Sequence, residues 1–580
     1  MLLVGCYKFR NDICHQDIAC DLARRTASFP GLEGHVLASD EALALHAIAR
    51  PAHDPQVVSW TSNEGDRFWL LGDLNYAAGN AVDYVHVASL KELLLAGIPG
   101  RWMAVQRNAS NGLLRLATDR LGTSWLYIGR LCDGYAWSND FSALAQVLPK
   151  PLTIDHETAW AEMAFGSTPD NRTVFKEISI APPGAVIELC ADGLKTVYTR
   201  PVEYGDRYCG TSESEKFKAL DGICDRIVTD YFRPHSEGLL LSLSGGYDSR
   251  YGFAMMLGNE IDPPLCTFGN PKSAEALAAG AIAARADRVT DVFSFERGDW
   301  EQWSRMITML GNAGTIQWCG WAQSWGQFLQ RHGKAVATGY LGDALSGKRI
   351  DYYSPGRDKW LSQWMDQFAN WNLSDEAARP SFVRPATVAH LRTSLQERFE
   401  AALAGASYAL PHQRAHHLNM YGRQRRHSAS QINFLTRFLT PVPYLYHDDL
   451  LDFWANVPYQ DLVGQHLYLR YAQSRFPALF PRGEGRPVSL RLRAYRKVIR
   501  MLSGRRDVTE PPVIDRLSII RPNVAHILAL ADRVTPLVSD HIDVDAFRSA
   551  VMRCGQDRAV SPLHIIAAVN VFLLLELSNS

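Results

Sequence analysis

Up to about residue 200 the apolar positions fall in short runs broken by Gly, Asn and Asp, as in RFWLLGDLNYAAGN (67–80) and GLLRLATDRLGTSWLYIGRLCDGYAWS (112–138). Short apolar runs with turn formers between them predict strands joined by hairpins. The stretch PVEYGDRYCGTSESEKF (201–217) is polar and rich in turn residues, and beyond it apolar residues recur at helical spacing over longer segments. This change of texture places a domain boundary, with one domain over 1–205 and a second over 206–580. Within the second, GLLLSLSGGYDSRYGFAMML (238–257), LCTFGN (265–270) and KAVATGYLGDALSG (334–347) are separated by Ala-rich or amphipathic stretches. That alternation predicts βαβ units and a parallel sheet. The most apolar segment, His564–Leu577, carries Asn570 and Glu576. It is too short and too polar to cross roughly 30 Å of hydrocarbon, so it predicts a buried terminal helix.

Composition narrows the function classes. A chain of 580 residues with 47% apolar and 21% charged residues exceeds one hydrophobic core and excludes a mostly disordered protein. Lys and Arg total 60 against 61 Asp and Glu, so no overall field exists to hold a nucleic acid or a membrane surface. The ten cysteines form no CxxC and no Cys/His pair at zinc spacing, which argues against a disulfide framework or a structural metal. The start, MLLVGCYKFRND, reaches Lys8 and Arg10 before the apolar run of a signal peptide can form. The expected location is the cytoplasm, with no nucleic-acid partner and no membrane insertion.

The chemistry is carried by one turn. Gly238–Leu243 is apolar apart from Ser242 and runs into Ser244-Gly245-Gly246-Tyr247-Asp248-Ser249, with a helix following. A strand, a glycine turn and a helix start form an anion site, because glycine lets the backbone approach a ligand and the first N–H groups of the helix point at it. Ser244 and Ser249 can add hydroxyl donors. No GxxxxGK[ST] occurs, which disfavours an NTPase cleaving at the γ-phosphate. The turn carries a carboxylate, Asp248, instead of a lysine, and a carboxylate beside phosphates needs a cation between them. Mg²⁺ held by one or two carboxylates and phosphate oxygens meets that need. Asp248 is therefore the first candidate metal ligand.

SGGxDS after an apolar strand resembles the pyrophosphate loop of the ATP pyrophosphatases, and its surroundings resemble the asparagine synthetase superfamily. TGYLGDALSG (338–347) is similar to that superfamily's second motif, SGxGxDExFGG; this places Asp343 as the second magnesium carboxylate and Ala344 where a glutamate is usual. The resemblance implies ATP and Mg²⁺ as cofactors. It implies adenine contacts near Ser242, Leu243 and Phe268, phosphate contacts from Ser244, Gly245, Gly246 and Ser249, and Gly339 close to the ribose. Tyr340 stands where asparagine synthetases have a glutamate, and β-lactam synthetases resemble this chain in placing a tyrosine there. Such a tyrosine can relay a proton from the attacking ammonium. The stretch ending in TPVPYLYHDDLLDF resembles the family's RxPFLD segment, with Tyr446 in the place of the aspartate. The family's late lysine has no counterpart in FPALFPRGEGRPVS (476–489), where Arg482 and Arg486 are the cations left to clamp phosphate. They open a basic stretch, 482–506, that suits a solvated helix face or a dock for an acidic partner.

GRWMAVQRN, LLRLATDRLGTSWLYIG, YAWSNDFSAL and TVFKEISIAPPGAVIEL are similar to the glutaminase domain of asparagine synthetases, an N-terminal-nucleophile sandwich. A working glutaminase needs a cysteine freed as the first residue, whose own amino group acts as base. Here Met1 is followed by Leu2, Cys6 is internal, and the family's oxyanion asparagine falls at Leu71, which cannot donate a hydrogen bond. The expected architecture is α/β and α+β in two domains. A degenerate N-terminal-nucleophile-like β-sandwich flanked by helices precedes an ATP-pyrophosphatase-type parallel α/β synthetase domain with a helical C-terminal part. Without delivered ammonia, the attacking amine belongs to the substrate or comes from solution. The length, the Arg- and aromatic-rich carboxy-terminal half and the relaxed second motif resemble the lasso-peptide macrolactam synthetases most. That resemblance implies an AMP-forming ligase that joins the N-terminal amine of a precursor peptide to an Asp or Glu side chain, with leader-peptidase and leader-binding proteins as partners. A β-lactam or carbapenam synthetase, an asparagine synthetase using free ammonia, and a nucleotide-binding pseudoenzyme are the alternatives.

Overall fold

The computed structural model describes residues 2–9, 14–29, 31–50, 57–74, 87–314, 319–348, 350, 360–371, 373–375, 378–482, 514–557 and 560–579. The strands of the first 200 residues are β1 (Leu2–Lys8), β2 (Glu33–Ser39), β3 (Leu43–Ala49), β4 (Val57–Thr61), β5 (Arg67–Leu74), β6 (Gly100–Arg107), β7 (Leu114–Thr118), β8 (Tyr127–Leu131), β9 (Gly134–Ser138), β10 (Ile178–Ile180), β11 (Ala185–Cys190) and β12 (Gly193–Thr199). They form two antiparallel sheets, ordered β10-β8-β9-β1-β3-β2 and β12-β11-β7-β6-β5-β4. Side chains alternate across a strand, so β1 of the first sheet serves two cores. Leu3 and Tyr7 of β1 join Leu45 of β3, Leu71 of β5, Val105 of β6 and Ile187 of β11 between the sheets. Val4 and Cys6 face the other way, in one core with Ala19 and Leu22 of the helix His15–Ala27.

β12 ends at Thr199 and the next helix, Glu213–Ile227, starts on a capping box made by Ser212 and Glu215. The polar stretch 201–217 thus holds both the connection and the first turn of that helix. The second part is built on β13 (Leu239–Ser242), β14 (Leu265–Phe268), β15 (Thr290–Phe293), β16 (Ala335–Ala337) and β17 (Thr440–Val442). All neighbouring pairs are parallel, in the order β15-β14-β13-β16-β17. Leu239, Leu240 and Leu241 are all buried, as a strand covered on both faces requires. The chain leaves β13 toward β14 and returns on the other side as β16, so the strand order reverses between β13 and β16. Ligands of open parallel sheets bind outside the carboxyl ends at such a point.

A helical region completes the fold. Its last helix, Pro562–Leu575, is buried from Ile565 onward, and its polar Asn570 is satisfied by Trp303 Nε1–H at 2.7 Å and by donation to the Ala313 carbonyl at 3.3 Å. No helix among the described residues is long and apolar enough to cross a membrane.

Candidate functional site

The turn after β13 folds on its own side chains. Ser249 Oγ accepts from the Ser244 N–H at 2.9 Å and lies 3.0 Å from Ser244 Oγ, which in turn accepts from the Gly246 N–H at 3.1 Å. Gly246 is the N-cap of the helix Tyr247–Leu257, which puts Asp248 in the first turn. Tyr444 Oη donates to the Asp248 carbonyl at 2.7 Å, an approach allowed because Gly252 has no Cβ; one built there would lie 2.3 Å from that oxygen.

The second loop follows β16 and lies directly on the first. The Asp343 N–H donates to Asp248 Oδ2 at 2.9 Å, which brings the two carboxylates of the separate motifs together. Gly339 and Gly342 make this contact possible, since a Cβ at Gly339 would come 2.8 Å from the Asp248 Cβ and one at Gly342 2.6 Å from its Cγ. Leu341 between them holds φ at 75°, a left-handed conformation costly for a bulky residue and of the kind found at functional sites. Lys348, one residue beyond the motif, pairs with Asp343 Oδ2 at 2.5 Å. Burial, and then the neighbouring Asp343, push the Asp248 carboxyl up to about 8, against the opposing pull of Lys348. Two adjacent carboxylates with one lysine suit Mg²⁺ held jointly with phosphate oxygens. Among the described residues no group of three or more His, Cys, Asp or Glu could hold a metal ion by itself.

The two loops open onto a cavity of about 410 Å³. Ser242, Ser244, Gly246, Asp248, Ser249, Phe268, Gly339, Tyr340 and Asp343 all line it, although they come from three separate segments of the chain. Two expected contacts do not: the Leu243 side chain is buried, and Gly245 turns its N–H to Glu275 Oε1 at 3.0 Å and packs on Ala278. Phe268 and Trp325 meet edge to face at 5.2 Å and, with Leu329 and Val336, give the cavity an apolar slot. Thr338 Oγ1, also on the cavity, is buried without a hydrogen-bond partner among the described residues and is placed for a polar atom of a ligand.

Tyr340 has a different setting from a proton relay. Its hydroxyl donates to the Gln424 carbonyl at 2.8 Å, and burial raises its pKa, so it gives up its proton less readily than a free tyrosine and the phenolate a proton relay passes through is disfavoured. Arg482 is exposed and does not line the cavity, and Arg486 lies outside the described residues with most of the basic stretch. Among the described residues the cations that line it are Lys348 and Arg423. Lys348 could have been noticed as the residue that immediately follows the second motif. Trp325 and Arg423 carry no motif and come from helices far along the chain.

In the amino-terminal half Leu71 is fully buried between the two sheets, where an apolar side chain contributes about 1.5–3 kcal/mol. Asp73, two residues on, is paired with buried Arg101 at 2.9 Å; Arg101 also donates to the Thr123 carbonyl at 3.2 Å and bonds Asn433 of the second half. Tyr446 joins the halves as well, donating to Asp119 Oδ1 at 2.6 Å and accepting from the Leu121 N–H at 2.9 Å. Cys6 is buried, and desolvation, then Cys14, push its thiol up to about 12, far from the thiolate that a nucleophile needs. The protein is expected to release no glutamate from glutamine, either as wild type or as Cys6→Ala. A coupled glutamate assay checks both, and measurable hydrolysis abolished by Cys6→Ala would contradict the expectation.

No family profile matches the chain, and no curated protein does. Among solved structures it is similar to a B. subtilis glutamine phosphoribosylpyrophosphate amidotransferase complexed with ADP and GMP, at 11% identity and TM-score 0.24, covering 44% of this chain and 64% of that one. A structure described as the allosteric regulatory enzyme of purine biosynthesis matches at 11% identity and TM-score 0.24, over 53% of this chain and 78% of that one. Likeness at this level carries no functional weight, so the functional reading rests on the site.

Proposed function

We propose that the protein is an ATP-dependent carbon–nitrogen ligase that activates an Asp or Glu side-chain carboxylate of a peptide as an acyl-adenylate and closes it on the peptide's N-terminal amine. One observation carries this reading: the glycine turn with Asp248 and the loop with Asp343 meet at the carboxyl ends of β13 and β16, on one cavity with an apolar slot beside it. The slot suits adenine, the N–H groups of the helix start suit the phosphates, and the carboxylate pair suits their metal. Bound Mg²⁺ would supply neutralisation of phosphate charge, with Asp248 and Asp343 as its protein ligands.

In the first step a carboxylate oxygen of the peptide attacks the α-phosphorus, the bond to the β-phosphate bridging oxygen breaks, and pyrophosphate leaves. In the second the amine, its ammonium proton already lost, attacks the acyl carbon, the acyl–phosphate C–O bond breaks, AMP leaves, and the new amide nitrogen releases its extra proton to solvent. The chain's part is to hold the triphosphate along the turn, orient the carboxylate and exclude water. A leader peptidase and a leader-binding protein are the partners this reading implies.

The test is pyrophosphate release with ATP and Mg²⁺ over a panel of peptides that have a free amino terminus and an Asp or Glu at varied distance. The expected result is peptide-dependent pyrophosphate and AMP together with a product lighter by one water. Formation of ADP and phosphate, or pyrophosphate release indifferent to peptide, would overturn it.

A further inference from the structure

The cavity has a second wall that the nucleotide reading leaves unused. It is formed by the helix Trp360–Phe368 and by Leu418–Ser428, an eleven-residue π-helix. A helix closed by i→i+5 bonds brings residues about four to five apart onto one side, and such turns cluster at functional sites. Asn419, Arg423, Gln424 and Ser428 follow that spacing, and all four line the cavity. In an α-helix Asn419 and Gln424 would diverge. The wide turn is held from outside: the carbonyl of Gln424 accepts from Tyr340 Oη, that of Arg425 from Trp125 Nε1 at 2.8 Å, and that of Arg426 from Asn312 Nδ2 at 2.8 Å. The Arg423 guanidinium lies over the Phe368 ring, 4.8 Å from its centroid, a contact that holds the planar fork on the cavity wall.

We infer that this wall is the acyl-donor subsite, in which Arg423 pairs with the carboxylate that is to be adenylated, while Asn419 and Gln424, whose amides bond each other through Gln424 Nε2 and Asn419 Oδ1 at 3.3 Å, offer their remaining amide groups to the peptide beside it. The inference rests on the ligase reading and adds its specificity-determining residue. A carboxylate approaching a triphosphate meets like charge, and a cation on the substrate side offsets it. Lys348 is paired with Asp343 of the nucleotide loop, whereas Arg423 comes from the motif-free π-helix that lines the same cavity and carries a guanidinium fork that fits a carboxylate. Tyr340 links the two sides through Gln424, so the nucleotide loop and the acyl-donor wall are held in one register.

The experiment is calorimetric titration of the full chain, with Mg²⁺ and a non-hydrolysable ATP analogue present, using Asp- or Glu-containing peptides and their Asn or Gln counterparts. The expected result is binding of acidic peptides, at least about tenfold weaker binding of the amide counterparts, and a roughly ten- to hundredfold loss for the acidic form in Arg423→Gln. Arg423→Lys should recover part of that affinity, and the analogue should bind both variants as it binds the wild type, which also shows that they are folded. Retained preference for acid over amide in Arg423→Gln, or no such preference in the wild type, would overturn the subsite. Failure of the wild type to bind the ATP analogue would instead overturn the ligase reading itself.

Discussion

Asp248→Asn is expected to lose peptide-dependent pyrophosphate release by about three orders of magnitude or more, and at the same time to make the folded protein more stable at about pH 8.5. The first effect follows from removing one of the two carboxylates to which the proposed ligase reading assigns the metal beside the phosphates. The second follows from the setting of that carboxylate. Burial and Asp343 push it up to about 8 in the folded state, while in the unfolded chain it titrates near the usual carboxylate value of about 4. Between those values the folded state holds a proton that the unfolded state has lost, so stability falls as pH rises from about 4 to about 8. At about 1.4 kcal/mol for each tenfold difference in proton affinity between the two states, the cost above that window is on the order of a few kcal/mol. Asparagine carries no charge to desolvate, and its oxygen can still accept the Asp343 N–H. Denaturant midpoints of both proteins at about pH 5 and pH 8.5 check this, with the gap opening toward the higher pH. A variant that is active, or less stable than wild type at the higher pH, would count against the assignment.

Gly342→Ala should be the most damaging small substitution in the second motif. The added methyl would sit 2.4 Å from Leu445 Cδ1, 2.6 Å from Asp248 Cγ and 2.7 Å from its Oδ1. The leucine end can move, but the carboxyl cannot without giving up the hydrogen bond that joins the two loops. Overpacking of this kind costs about 1–3 kcal/mol, and misplacing a reacting group by about 1 Å costs on the order of a hundredfold in rate. The matched control is Gly280→Ala in the helix Ala274–Ala284, where a Cβ meets nothing within 4 Å. There the better helix propensity should add about 0.5–1 kcal/mol and leave the rate alone. Thermal unfolding and pyrophosphate release on the two variants separate a steric effect at the loops from a general effect of losing glycine. Equal behaviour of the two would mean that contact between the loops does not set the site.

The residue order by itself determined the strand and loop placement that matters most. The short apolar runs of the first half, the apolar run Gly238–Leu243 and the glycine turn after it are local patterns, and local patterns survive folding because backbone geometry obeys them. The same is true of Asp248 and Asp343, whose motifs mark them before any contact is known. Leu71 was legible too, since an apolar side chain in the place of a donor is visible without a fold. Only the tertiary structure decided which side chains share the cavity and which protons they hold. Tyr340 has the residue type of a proton relay, yet its hydroxyl is committed to a carbonyl 84 residues further on. Arg423 follows a π-helical spacing that a search at 3.6 residues passes over, and Arg482 proved to stand away from the cavity. A hydroxyl's acceptor, a carboxyl's desolvation and a guanidinium's orientation are set by groups distant in sequence, so no pattern along the chain could report them.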